Sequence, residues 1–226
     1  MKRLSPYFNL CLLILSVSVV ALILIMSNIK KTYAIGNNIV IKKIELKYSN
    51  INSITADFIQ KEILRGYSQS IDSKGIFFYK KPDKLAWIYT SPHKQKELYF
   101  NKKLYAVNGR LKQVLVYNIN SNIGGFPLDV ISLLANMRKY FKIVNIIDNR
   151  KTDSWKIELR PLKFQRARLI YINFAKSSYK INSILIVTMQ GRIETYYLNE
   201  RFNKNIKNSI FSDQFPASYN IIYEKE

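Results

Sequence analysis

Between Lys74 and Val107 one pattern recurs: short runs of large apolar side chains, cut by turn residues. Ile76, Phe77, Phe78 and Tyr79 follow Gly75, and Leu85, Trp87 and Tyr89 then alternate with Ala86, Ile88 and Thr90. A third run opens at Glu97–Phe100 and a fourth is Leu104-Tyr105-Ala106-Val107, with Asn101-Lys102-Lys103 as the turn between them. Pro82-Asp83 and Ser91-Pro92 bracket the second run, because proline fixes its own φ and has no N–H to give a ladder. Four runs joined by short turns predict an antiparallel meander. Period-two alternation puts Leu85, Trp87 and Tyr89 on one face, where they need cover.

On the N-terminal side, Ile41, Ile44, Tyr48 and Ile51 recur at helical spacing with Lys42, Lys43 and Lys47 opposite, predicting an amphipathic helix from Asn38 to Asn50. Ile54, Ala56, Phe58 and Gln60 then alternate as a strand, and Arg65–Ser73 reads as a polar loop. After the meander, Lys112–Tyr117 is extended and Asn118–Gly125 polar. Pro127 starts a short helix carrying Leu128, Ile131, Leu134 and Ala135, flanked by Phe126 and Met137. Such a helix is either packed surface or a lid over the sheet face. Strands resume at Tyr140–Ile147, Trp155–Leu159 (closed by Pro161), Arg168–Phe174, Ile181–Met189 and Ile193–Leu198, with Gln190-Gly191 as a hairpin turn. Asn199–Asn208 reads as a basic loop, and Phe211, Phe215, Pro216, Tyr219 and Ile221 as a last extended piece. The sum is an α+β chain of about ten or eleven strands and two or three short helices. Several strands are apolar on both faces: Ile76 and Phe78 lie opposite Phe77 and Tyr79, and Ile170, Ile172 and Phe174 lie opposite Leu169 and Tyr171. That suits a curved sheet wrapped round helices and covered in part outside. Periodicity leaves open whether the interior is filled or hollow.

Composition changes this picture in two places. The net charge of +21 fits nucleic acid, an anionic membrane surface or an acidic partner, and equally a composition in which Lys, Asn, Ile and Tyr are all abundant. The first thirty-odd residues narrow the choice. Lys2 and Arg3 precede an apolar run from Leu10 to Met26, and Thr32-Tyr33-Ala34 offers a cleavage site. Residues 1–34 therefore read as a signal peptide, with an uncleaved N-terminal membrane anchor as the alternative, and 35–226 as one domain outside the cytoplasm. That location argues against nucleic-acid binding. The single cysteine, Cys11, lies inside the apolar leader, so the rest of the chain has no disulfide, thiolate metal site or cysteine nucleophile.

The chemistry that is missing argues against an enzyme. The one histidine, His93, sits in a Pro-His-Lys turn and has no second histidine or cysteine for a zinc site or a nucleophilic pair. Asp148 with Asp153, and Glu194 with Glu200, read as loop and strand-surface acids rather than as general acid–base pairs. No Gly-rich phosphate loop and no nucleophile elbow is present, and no cofactor or metal is expected.

One ordered series of residues carries a family resemblance. Ala56, Phe58 and Gln60 are followed by Lys81, Pro82, Leu85, Trp87, Tyr89, Pro92 and Gln95, then by Leu104, Tyr105, Asn108 and Gln113-Val114. Pro127, Trp155…Leu159…Pro161, Gly191 and Phe211…Pro216 continue the order. The series resembles the periplasmic outer-membrane lipoprotein carrier (LolA) family over most of the chain after residue 40. The resemblance implies a half-open, antiparallel, β-barrel-like sheet capped by helices and enclosing an apolar cavity. It implies a monomeric periplasmic carrier that takes triacylated lipoproteins from an inner-membrane ATP-binding-cassette exporter and delivers them to an outer-membrane lipoprotein acceptor. The competing reading is a membrane-anchored sensor or adaptor of related fold that binds a lipoprotein or membrane-protein partner. The cavity residues so implied are Leu85, Trp87, Tyr89, Leu104, Phe126, Leu128, Ile131, Leu134 and Phe141. Lys81 stands where the family has an arginine that clasps the lid helix, Lys102 where a Gly-containing turn is usual, and Asp213 where an aromatic is usual.

Overall fold

A computed structural model of the protein describes residues 38–119, 130–162 and 167–224. The leader, Phe126, Pro127 and Leu128 lie outside the described residues. The chain divides into two units, Met1–Lys43 and Ile44–Glu226, and the second contains the whole sheet.

Twelve described strands form that sheet: β1 (Ser53–Leu64), β2 (Ile71–Lys80), β3 (Lys84–Ser91), β4 (Gln95–Phe100), β5 (Lys103–Asn108), β6 (Gln113–Asn118), β7 (Phe141–Asn149), β8 (Ser154–Pro161), β9 (Ala167–Ala175), β10 (Ile181–Thr188), β11 (Gly191–Phe202) and β12 (Asn220–Tyr223). Their order is β12-β6-β5-β4-β3-β2-β1-β11-β10-β9-β8-β7. The meander predicted from Lys74 onward is β2 to β5. A second meander, β7 to β11, joins the first through the long β1–β11 ladder, from Ile54 opposite Phe202 to Leu64 opposite Gly191. Every pair is antiparallel except the parallel pair β12–β6. The two outer strands, β12 and β7, do not pair, so the sheet is open and curved rather than closed.

The structure differs from the sequence reading at three strand ends. The described residues hold twelve strands, since the last extended piece docks as β12 in parallel register on β6. β2 starts at Ile71, inside the expected polar loop. β11 runs on to Phe202 although Asn199 looked like a loop start. A bulge explains the last: the register shifts between Thr55 and Asp57, Asn199 takes φ 53°, and its amide donates to Asp57 Oδ2 at 2.7 Å. The local turn of a bulge lets a β-poor residue sit within a continuing strand. The turn at Asn101-Lys102 has positive φ at both residues (53° and 59°), the geometry that two-residue hairpins use, so Lys102 holds it without glycine.

Each face of the sheet has its own cover. On one, Ala86, Leu98, Phe100, Tyr105, Val107, Val114 and Val116 form a cluster closed by Ile206 and Phe211 from the C-terminal segment. A 3-10 turn at Asn208–Phe211 brings Phe211 there. On the other face lie α2 (Val130–Leu133) and α3 (Met137–Tyr140), with a 3-10 turn at Leu134–Asn136 between them, and the part of α1 (38–49) that belongs to the second unit. From Ile44 onward α1 turns apolar residues to this face: Ile44 is fully buried, and Tyr48 meets Phe174 edge-on with ring centroids 6.2 Å apart. Glu45 ties α1 to α3, accepting from Arg138 Nη1 at 2.6 Å and from the Arg138 backbone N–H at 3.2 Å.

Candidate functional site

The helix-covered face is not completely filled. A cavity of about 280 Å³ lies beside α2, between the first meander and β10–β11. One wall is apolar: Ile184 and Ile186 from β10, Ile193 from β11, and Val130 and Ile131 from α2. The other is aromatic and polar: Trp87 and Tyr89 from β3, Tyr197 and Thr195 from β11, Gln60 and Glu62 from β1, and Glu97 from β4. Strand parity explains the set. Glu97 sits opposite Trp87 in the β3–β4 ladder, and Gln60 opposite Thr195 in β1–β11, so these side chains emerge on one face two residues apart along each strand.

Aromatic packing forms the base of the wall. Phe77 lies 4.8 Å from Trp87 and 5.5 Å from Tyr197 between ring centroids, and Phe58 meets Tyr89 edge-on at 5.2 Å. Gly75 permits the last contact, because it pairs with Phe58 on one side and Tyr89 on the other. A Cβ built there would stand 2.1 Å from the Ile88 carbonyl oxygen and 2.9 Å from the Phe58 ring.

Polar groups continue from these rings as a chain. Gln60 Nε2 donates to Thr195 Oγ1 at 3.3 Å, and the Tyr89 hydroxyl lies 3.4 Å from both Gln60 Oε1 and Glu97 Oε2. Glu97 is accessible only in part. Burial pushes its carboxyl up to about 7, which the Tyr89 hydrogen bond opposes and the Glu62 charge reinforces. Burial likewise raises the Tyr89 and Tyr197 phenols, so both stay protonated at neutral pH.

Of the residues expected to line a cavity, Trp87, Tyr89 and Ile131 do so. Leu85, Leu134 and Phe141 are almost fully buried and Leu104 nearly so, without lining the cavity. Phe126 and Leu128 lie outside the described residues. Lys81 donates from Nζ to the Ser49 carbonyl at 2.5 Å, so its described partner is the last turn of α1. Glu45 of the same helix pairs with Arg138 of α3. The sequence reading missed the β10–β11 wall and the acids: Ile184, Ile186, Ile193, Thr195, Tyr197, Gln60, Glu62, Glu97, and His93 at the rim. A signal existed for Gln60, a polar residue that follows Ile54, Ala56 and Phe58 in the alternation of β1.

Comparison with known proteins agrees with this architecture. Residues 49–214 match the family described as outer membrane lipoprotein carrier protein LolA. The chain is 27% identical over 207 residues to an outer-membrane lipoprotein carrier protein of Francisella philomiragia, covering 91% of this chain and 97% of that one. It is 28% identical over 178 residues to the protein of the same name from Francisella tularensis subsp. tularensis, covering 79% and 85%. Among solved structures, an uncharacterized conserved protein from Thermus thermophilus superposes with a TM-score of 0.52 at 6% identity, over 83% of this chain and 99% of that one.

Proposed function

The chain belongs to the LolA family of outer membrane lipoprotein carriers, and on that footing we propose that it carries lipoproteins through the periplasm with their acyl chains shielded in the cavity beside α2. The observation that carries this reading is the hollow itself, with an apolar β10–β11 wall and Val130 and Ile131 of a short helix at its side. Burying each methylene is worth about 0.8 kcal/mol, so acyl chains cross water only when covered. A carrier must also release them, which favours a site closed by small movable elements over a rigid one.

At about 280 Å³ the cavity is at the lower edge of the roughly 300–1,000 Å³ typical of small-ligand sites. A cargo with three chains therefore needs it to widen, and α2 and α3 are the pieces suited to move. α3 is a four-residue helix, far below the length at which a helix is stable by itself, and the described part of α2 is Val130–Leu133. Glu45–Arg138 joins α3 to α1 at the partly exposed surface. In this reading Lys81 secures α1 and, through it, the closed arrangement. Loading from an inner-membrane ATP-binding-cassette exporter and delivery to an outer-membrane acceptor complete the proposed cycle, with no covalent chemistry.

The test is solubility. The purified protein should keep a triacylated lipoprotein in solution in detergent-free buffer, and Ile131→Glu, which sets a charge against the chains, should lower the bound cargo about tenfold or more. Equal cargo on both proteins, measured by co-purification, would refute the cavity as the acyl site.

A further inference from the structure

A second pocket, of about 800 Å³, opens on the sheet face opposite the helices. Its floor is apolar: Ile88, Leu98 and Val107 come from the sheet, and Ile210, Phe215 and Tyr219 from the C-terminal segment that covers it. Strand parity sets the floor. Ile88 pairs with Lys96 in the β3–β4 ladder and Lys96 with Val107 in β4–β5, so these side chains emerge on one face and those of Tyr89 and Glu97 on the other. Thr90, Ser209, Ser212 and Gln214 add side chains that both donate and accept hydrogen bonds. That mixture suits peptide, which carries an N–H and a C=O at nearly every residue, better than it suits hydrocarbon alone.

The rim of this pocket is basic. Lys94, Lys96 and Arg110 are exposed there and make no described ion pair, and no Asp or Glu is among the described lining residues. Asp213, the one acid between Ile206 and Tyr219, accepts instead from the Tyr105 hydroxyl at 3.5 Å. The turns that carry the three cations meet: a Cβ built on Gly109 would stand 3.6 Å from the Lys94 carbonyl oxygen and 3.7 Å from the Tyr219 hydroxyl. The outer pocket and the acyl cavity also adjoin, since Tyr89, Pro92, His93 and Gln95 line both. Across that turn the charge changes sign, from Glu62 and Glu97 inside to Lys94, Lys96 and Arg110 outside.

We propose that the outer pocket receives the first residues of the cargo polypeptide as they leave the acyl cavity over the β3–β4 turn, and that it favours a linker carrying Asp or Glu beside apolar side chains. The proposal rests on the carrier reading and gives it a preference among cargoes. A triacylated cysteine has no charge of its own, so the linker that follows it is the first part of the cargo that electrostatics can distinguish. Acidic side chains there are repelled by the cavity acids and drawn to the three cations, while apolar ones cover Ile88, Ile210 and Phe215. A basic linker meets the opposite field.

The experiment measures binding of triacylated lipopeptides to the full chain, with linkers that differ only in carrying Asp, Ser or Lys at alternate positions. At low salt the Asp linker should bind about fivefold or more tightly than the Ser linker and the Lys linker more weakly than either, with the spread shrinking as ionic strength rises. Combined Lys94→Gln, Lys96→Gln and Arg110→Gln should bring the Asp linker to the affinity of the Ser linker, whose unchanged binding also shows that the variant is folded. Combined Lys142→Gln, Arg150→Gln and Lys151→Gln, the same loss of charge around edge strand β7 and the turn that follows it, should leave the preference intact. Equal loss in both variants would overturn the pocket as its source, as would equal affinity of the wild type for the Asp and Ser linkers, and either result leaves the carrier reading standing. Capture by phosphatidylglycerol vesicles that only the pocket variant loses, with no preference among linkers, would overturn the peptide assignment in favour of an anionic lipid. Failure of all three lipopeptides to bind would overturn the carrier reading itself.

Discussion

Gly75 shows how little room single residues have in the wall of the cavity. It lies where β2 shifts register against β3, between Phe58 and Tyr89, with the Ile88 carbonyl closing the third side. Backbone cannot retreat as a flexible side chain can, so Gly75→Ala should destabilise the fold by about 2 kcal/mol or more, read as a lower denaturant midpoint at unchanged slope. The aromatic positions were legible beforehand: parity along one bracketed strand put Leu85, Trp87 and Tyr89 on a common face, and the structure keeps them there. What parity could not supply was their neighbours. Tyr197 and Thr195 face β1 across a ladder whose register depends on the bulge at Asn199, and no local pattern encodes that pairing. Glu97 was visible only as the start of a strand, and its burial is a property of everything stacked around it.

Two elements can be tested separately because each covers one face. The C-terminal segment closes the outer cluster with Ile206 and Phe211, and Lys80 holds it by donating from Nζ to the Ile206 carbonyl at 3.0 Å and Asn208 Oδ1 at 2.9 Å. Phe211→Ala should cost about 3–4 kcal/mol and expose apolar surface, seen as a lower melting temperature with increased dye binding. On the opposite face, Lys81 and Asn203 both hold the end of α1: Asn203 Nδ2 donates to the Asn50 carbonyl at 3.3 Å, and the Asn52 N–H donates to Asn203 Oδ1 at 2.7 Å. Because the Lys81 bond is exposed, Lys81→Ala should cost only about 1 kcal/mol. Its clearer effect should be faster amide exchange over residues 44–50 than in β9, restored by Lys81→Arg. Equal exchange in both variants would show that Lys81 does not hold the helix. The helices were legible as amphipathic stretches, but their connections were not, since Lys81–Ser49 and Glu45–Arg138 join residues far apart in sequence.

For the molecule as a whole, two buried acids set the pH dependence. Burial raises Glu97 and Glu200 each to about 7, Glu200 despite the nearby charges of Lys180 and Lys47. Both carboxyls hold protons more tightly folded than unfolded, where a glutamate titrates near 4.3. Their contribution is therefore fully favourable below about pH 4 and is lost as pH rises towards 7. The melting temperature should fall between about pH 5 and pH 8, and Glu97→Gln should remove part of that slope. The net charge of +21 acts separately: self-repulsion is screened by salt, so raising ionic strength to about 0.15 M should stabilise the fold at fixed pH.

The amino-acid sequence determined the strand-rich class, the central meander, the amphipathic first helix and the aromatic face of β3, because these depend on period-two and period-3.6 patterns and on proline and glycine stops that act within a few residues. Only the tertiary structure decided that β1 pairs with β11, that the last strand docks in parallel on β6, and that a hollow remains with acids at one end. Those outcomes come from ladders between distant segments and from how well side chains fill the space between layers, which a one-dimensional pattern does not contain.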